Sequence, residues 1–360
     1  MEPQQESART AWVYESVAVP NRRCAAEAEA HQQRLTKPPG SLGRLESLVV
    51  KLAALQHSST PSLERIMIRV FAADHGVAAQ GVSAFPQSVT VEMVRNFAAG
   101  GAAISVLSQQ LGADFGVGEM GTVQTPGQLT GVLGRRQGAG TGDITVEPAM
   151  NASQLAGALD AGREVASAAA TNSVQLFIGG EMGIGNSTVA AALASALLDQ
   201  PAQALVGRGT GIDDQGLELK CNAVAKALER HRALPGEPLA EGLSALRSLG
   251  GFEIAALAGC YIACAQRGIP SLVDGFISSV AALAAVSVNP EVRQWLLFSH
   301  QSAEPGHRLV LEALRAQVLV SLEMRLGEGS GAAVVVPLMQ SACLLHREMA
   351  TFDGAGVSRS

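Results

Sequence analysis

The sequence predicts an α/β fold: a doubly wound, mostly parallel sheet of about six strands beside a small helical domain made from both chain ends. Three observations carry this prediction. Short β-branched runs alternate with helical patterns through the middle of the chain, polar glycine-rich stretches follow those runs, and both ends read as helix. The implied division is 1–60 for the first part of the helical domain, 61–305 for the sheet domain, and 306–360 for the second helical part, which carries the last glycine loop.

Each element has its own reason. Residues 25–33 and 42–55 repeat at helical spacing; Pro38 and Pro39 halt the first helix, and Ser41 is placed to cap the second. The period changes to that of a strand at 65–72, which runs into Asp74-His75-Gly76 as the opening of a βα unit. Further strand-like runs lie at 113–117, 174–178, 204–206, 270–273 and 295–299. Helical patterns at 91–111, 153–170, 188–198, 217–230, 253–267 and 278–288 fill the gaps, and after Pro305 the chain reads as helix at 309–322 and 334–349. No internal repeat is evident.

Composition narrows the class. Of the 360 residues, 47% are hydrophobic but only 4% aromatic, so alanine, leucine and valine must pack the core. A net charge of −6, with arginine pairs only at Arg22-Arg23 and Arg135-Arg136, excludes a basic nucleic-acid surface. The five cysteines are an odd number; Cys260 and Cys264 share a helix face, but no histidine or second pair accompanies them, so they read as small buried hydrophobes and no metal is expected. The polar start, Met1 to Glu6, is unlike a signal peptide, and 277–288, among the longest apolar runs, is too short to span a bilayer. The expectation is a soluble, cytoplasmic protein without membrane or nucleic-acid partners.

In a doubly wound sheet, ligands bind beyond the carboxyl ends of the strands. Asp74-His75-Gly76, Gly179 to Thr188, Gly207 to Gly211, Asp274-Gly275-Phe276 and Ser299 to Glu304 all fall there. Gly183 to Thr188 enters a helix, where backbone N–H groups and the Ser187 and Thr188 hydroxyls suit an anion; a tight strand-to-helix turn is the plainer alternative. It lacks the lysine of a P-loop and the spacing of a dinucleotide fingerprint. Lys220, after the next glycine loop, is either a point charge for a phosphate or a solvated surface residue. Glu181, Asp74, Asp274 and Glu304 gather carboxylates on the same rim. Without a Cys/His metal pattern they suggest acid–base or oxocarbenium chemistry, although turn formation accounts equally well for Asp74 and Asp274. His75, His300 and His307 read as loop hydrogen-bonders. Near the end, Glu328 stands between Gly327 and Gly329, ahead of an apolar run; partial desolvation there makes a general base, and a helix-capping turn glutamate is the alternative.

Taken together, 36–46, 73–90, 96–103, 180–188, 250–253, 267–283, 299–304 and 325–333 closely resemble the nicotinate-nucleotide–dimethylbenzimidazole phosphoribosyltransferases. The resemblance implies transfer of ribose phosphate from nicotinate mononucleotide to 5,6-dimethylbenzimidazole, giving α-ribazole phosphate and nicotinate for the nucleotide loop of cobamides, without a cofactor. It implies a Rossmann-like sheet with a small three-helix domain, and a homodimer. Carried onto this sequence, it implies Glu328 as catalytic base and Glu181 as the second active-site glutamate. Phe85, Met93 and Met182, with Leu326 beside them, would surround the base. Gly183, Ser187 and Lys220 would serve the ribose phosphate, joined by Thr188, Asp274 and Ser299 on the same rim. Departures from the family pattern are Glu119, Asp143 and Glu147. A non-catalytic azole carrier would need neither glutamate, and a nicotinamide-dependent oxidoreductase would need the dinucleotide fingerprint that 73–77 lacks.

Overall fold

The computed structural model describes residues 9–209, 211–233 and 241–358. The leader-peptide reading of the first residues and Thr210 of the second glycine loop lie outside them.

Helix α1 (Arg22–Gln32) starts at Asn21, whose side chain accepts the amides of Arg23 and Cys24 and so satisfies first-turn donors. Helix α2 (Arg44–Leu55) buries Leu48, Val49 and Leu52. Ser41 is not its cap. The chain enters through Gly43, while Glu46 turns back to accept the Leu42 amide at 2.9 Å and pairs with Lys37 at 2.8 Å.

Strand β1 (Ile66–Ala73) is followed by α3 (Ser88–Ala99) and α4 (Ala103–Leu111). The continuous helix expected at 91–111 is therefore two, because Gly100 ends α3 at φ 84° with its amide on the carbonyls of Asn96 and Phe97. Next come β2 (Asp114–Gly121), which runs on past Val117, then β3 (Val132–Gly134), α5 (Ala152–Thr171), β4 (Leu176–Met182) and α6 (Asn186–Leu198). The strand expected at 204–206 is a correction: Ala202–Leu205 forms the short helix α7, since so brief an apolar run carries no period of its own. Helices α8 (Asp214–Arg232), α9 (Gly242–Leu249) and α10 (Phe252–Gln266) precede β5 (Ser271–Val273), α11 (Phe276–Val288) and β6 (Leu296–Gln301). The helix expected at 309–322 stops early, as α12 (His307–Ala313). Arg315 turns left-handed at φ 47°, and Val318–Ser321 pairs as β7 with the open edge of β6. Helices α13 (Ser330–Glu348) and α14 (Phe352–Ala355) finish the chain.

Among the described residues all seven strands are parallel, in the order β3-β2-β1-β4-β5-β6-β7. The count exceeds the expected six because two short edge strands, β3 and β7, join and 204–206 drops out. The chain winds outward from β1 in one direction and then from β4 in the other, so the crevice beyond β1 and β4 is the topological switch point. One core covers one face of the sheet beneath α5, α6, α10 and α11, and a second covers the other face beneath α2, α3, α4 and α13. Every residue of α10 from Phe252 to Ala265 is buried, as befits a helix apolar on all sides.

The chain ends meet. Leu35 bridges Thr351, the Thr36 amide donates to Ala350 at 3.0 Å, and Gln32 Nε2 lies 2.7 Å from His346 Nδ1. This joins α1 to the end of α13, and α13 in turn packs on α2 and α4. All five cysteines are free thiols. Among the described residues no helix is long and apolar enough to cross a membrane.

Candidate active site

A cavity of about 360 Å³ opens at the switch point, over the ends of β4, β5 and β6. Its lip is the loop that leads into α13. Gly327, Glu328 and Gly329 are all left-handed, at φ 86°, 64° and 85°. Such a conformation strains a glutamate and persists only where its surroundings fix it. Asp274, just past β5, supplies the fixing: Oδ2 accepts the Gly329 amide at 3.1 Å and Oδ1 the Ala332 amide at 2.7 Å. From below, β4 presses so close that a Cβ on Gly180 would overlap the Glu328 carbonyl. The side chain of Glu328 is buried, and Oε2 meets no donor among the described residues. Burial pushes its carboxyl up from 4.5 to about 7; the Ile104 amide at the start of α4 opposes the rise, and the nearby Asp274 adds to it.

Glu181, the penultimate residue of β4, faces this loop. Its Oε1 lies only 2.6 Å from where a Cβ on Gly327 would stand, and its Oε2 accepts from Asn186 Nδ2. Burial, then the neighbouring Glu253, Asp274 and Glu328, hold its carboxyl well above the usual carboxylate range. Two carboxyls therefore share one cavity, both held above the usual carboxylate range, Glu181 by deeper burial and more acidic neighbours, and Glu328, near 7, is poised to exchange a proton.

The side walls at this end are apolar and open. Phe85 and Leu326 are 52% and 58% exposed, and Met93 on α3 and Met182 at the end of β4 are half-buried. Val89, one turn before Met93, joins them. Flat apolar walls with a carboxylate at the lip suit a planar heteroaromatic ring.

The other end is polar. Gly183 and Ser187 line it, and Lys220, from the second turn of α8, reaches Ser187 Oγ and the Gly207 carbonyl, each at 2.9 Å. Lys220 is 1% exposed, so it is no solvated surface lysine. Burial lowers its ammonium to about 8, and Glu304 opposes that shift. Arg325 lines the same end and donates to the Gly209 carbonyl at 3.2 Å.

Eight of the twelve residues singled out from the sequence line one cavity: Glu328, Glu181, Phe85, Met93, Met182, Leu326, Gly183 and Ser187. Lys220, Thr188, Asp274 and Ser299 stand behind its walls. Thr188 is buried in the first turn of α6, its hydroxyl meeting no partner among the described residues, and Ser299 Oγ donates to the Val273 carbonyl at 2.8 Å. Asp274 is spent on the Glu328 loop. The departures Glu119, Asp143 and Glu147 all lie off the cavity: Glu119 accepts the Thr122 amide and pairs with Arg136, and Asp143 accepts from Thr145 and Gln80.

Sequence reasoning missed Asn186, Arg325 and the pair formed by His75 and Glu253. That pair is wholly buried behind Gly183, with Nε2 2.9 Å from Oε1 but off the line of a hydrogen bond. Arg325 opens the glycine loop and was legible as its only cation, whereas the pairing of His75 with Glu253 is a product of the fold alone. Among the described residues no three His, Cys, Asp or Glu side chains converge as a metal site.

A family model described as phosphoribosyltransferase matches residues 17–357. The nicotinate-nucleotide–dimethylbenzimidazole phosphoribosyltransferase of Pseudomonas aeruginosa (strain LESB58) is 59% identical over 337 residues, covering 94% of each chain. That of Xanthomonas oryzae pv. oryzae (strain PXO99A) is 55% identical over 347 residues, covering 96% of this chain and 98% of its own. The crystal structure of CobT from Thermus thermophilus superposes with a TM-score of 0.89 at 43% identity, covering 94% of this chain and 100% of that one. With a matching family model, full-length relatives above half identity and the same fold, this chain belongs to the nicotinate-nucleotide–dimethylbenzimidazole phosphoribosyltransferases.

Proposed function

We propose that this enzyme moves ribose phosphate from nicotinate mononucleotide to 5,6-dimethylbenzimidazole, giving α-ribazole phosphate and nicotinate for cobamide nucleotide loop assembly. The observation that carries the reading is the poised Glu328: a carboxyl held near 7, one oxygen without a protein donor, at the lip of an apolar slot. The flat base enters between Phe85, Met93, Met182 and Leu326. As one ring nitrogen attacks the anomeric carbon, the N–H proton on the other passes to Glu328. The bond from that carbon to the pyridinium nitrogen breaks, its electron pair stays on the ring, and nicotinate leaves with a neutral pyridine nitrogen. One displacement inverts the carbon from β to α. No Lewis acid is required, because the leaving ring needs no proton. Glu181, its carboxyl held well above the usual range by burial and by its acidic neighbours, is a weaker candidate for the ionised base than Glu328.

At the polar end, the amides entering α6, Ser187 and the buried Lys220 are suited to the phosphate, with Arg325 above. Asp274 acts through the loop it holds, as a positioning residue. We include a homodimer in the proposal, supported by Val334 and Leu338, which lie one turn apart on α13 and are 38% and 37% exposed. A cytoplasmic location is part of the same reading, supported by the five free thiols.

Product analysis with nicotinate mononucleotide and a panel of bases tests it. Dimethylbenzimidazole should give α-ribazole phosphate and nicotinate in equal amounts; adenine and phenols then rank the slot. Binding of both substrates with no ribosylated base would mark a carrier, and nicotinate release independent of any base would mark a hydrolase.

A further inference from the structure

We propose that Glu304 is the ribose-hydroxyl acceptor of this site and makes the enzyme selective for ribonucleotides over deoxyribonucleotides. The inference rests on the phosphoribosyl-transfer reading above. Glu304 lines the cavity at its polar end, and its Oε2 is buried and meets no donor among the described residues. That carboxylate is built in from several sides. Its backbone is fixed by an N–H donated to Ser302 Oγ at 3.3 Å and a carbonyl that accepts the His307 amide at 3.0 Å. The adjacent Ala303 amide donates to the Met324 carbonyl at 3.0 Å, which ties this loop to the segment leading to Glu328. Oε2 lies so close over Gly207 that a Cβ there would overlap it.

The charge of Glu304 is out of place in a phosphate site. Lys220 and Arg325 sit at the same end and serve an anion, which a carboxylate repels. Lys220 offsets part of that charge, but a buried carboxylate oxygen that meets no donor is costly unless something donates to it. The one cation the substrates bring, the donor's pyridinium, has no N–H to donate, and the phosphate donates nothing near neutral pH. What remains, between a phosphate at Ser187 and an anomeric carbon facing Glu328, is the sugar, and its vicinal hydroxyls are donors. A carboxylate accepts two O–H groups from such a diol, a contact stronger than a neutral one.

The experiment compares kcat/KM for nicotinate mononucleotide with its 2′-deoxy and 3′-deoxy analogues, dimethylbenzimidazole saturating, in the wild-type enzyme, Glu304→Gln and Glu304→Ala. In the wild type, losing a hydroxyl that meets a carboxylate should cost about tenfold to a hundredfold for at least one analogue. In Glu304→Ala the ribonucleotide should fall by a similar factor and the analogue little further, so the preference collapses toward unity. Glu304→Gln keeps an acceptor and should keep part of the preference. Each sugar's intrinsic reactivity is the same in all three proteins and cancels when their preferences are compared. A preference unchanged in both variants, or a wild type indifferent to both hydroxyls, overturns the proposal. Equal losses for all three nucleotides would make Glu304 a support for Lys220 and overturn it as well. Failure of the transfer reading itself would be separate: the wild-type enzyme would then make no α-ribazole phosphate from the ribonucleotide.

Discussion

Two glycine loops, one crossing the end of β4 and one leading into α13, carry the two glutamates of this cavity, and they look alike in sequence. In the structure they differ in every property that matters to chemistry. Glu181 belongs to a strand, is closed in by Glu253, Asp274 and Glu328, and holds its proton well above the carboxylate range. Glu328 sits on a strained left-handed turn, has fewer acidic neighbours, and settles at about 7. The difference teaches that a glycine beside a carboxylate marks a site without assigning its role; the depth of burial and then the charges facing the group do that.

The largest effect expected is at Glu328. Glu328→Gln should lower turnover at saturating base by about 100-fold or more, the scale of a lost general base. The wild-type kcat/KM should fall about tenfold per pH unit below about 7, as Glu328 gains the proton it must lack to act. The variant should lose that limb. Near wild-type turnover, or an unchanged acid limb, would reverse the contrast between the two glutamates.

Next in size is the polar end of the β4 loop. Lys220→Ala should weaken nicotinate mononucleotide by about tenfold to a hundredfold, from about 1.5–3 kcal/mol per charge-assisted hydrogen bond. Dimethylbenzimidazole, bound at the apolar end, should be nearly unaffected. Calorimetric titration of each substrate checks this; parallel weakening of both would mean that Lys220 only supports the Ser187 and Gly207 loops it bridges.

Much of this is legible in the sequence, and the exceptions have physical causes. The alternation that gave β1, β4, β5 and β6 is strong because central strands are buried on both faces and read as apolar runs. Val318–Ser321 has a helical sequence pattern, but edge pairing, which no local period encodes, decides its state. Ala204 to Val206 looks like a strand, but so brief an apolar run carries no period of its own, and Ala202–Leu205 closes as a helix. The apolar slot was legible only through the family resemblance, since methionine at helical spacing is ordinary core. Asp274 was placed with the ribose phosphate by its position on the rim; that it holds the Glu328 loop depends on a contact with residues far along the chain.

The smallest effect expected separates the two glutamates by stability alone. A carboxyl whose pKa is raised on folding contributes its full stability below the unfolded value and loses it as pH climbs toward the folded value. For Glu328 the window runs from 4.5 to about 7. Glutamine, neutral at every pH, avoids that loss. Glu328→Gln should match the wild type near pH 4.5, gain on it through the window, and level off above about 7. The plateau should be about 1–2 kcal/mol, less than the full shift implies at ~1.4 kcal/mol per pH unit, because the cavity admits water. For Glu181 the folded value lies well above the usual range, so the gain of Glu181→Gln should still be rising where that of Glu328→Gln has flattened. Urea denaturation of both variants at pH 5, 7 and 9 reads the two curves. If both flatten together, the glutamates titrate alike, and what distinguishes base from bystander must be the orientation of Glu328, not its proton affinity.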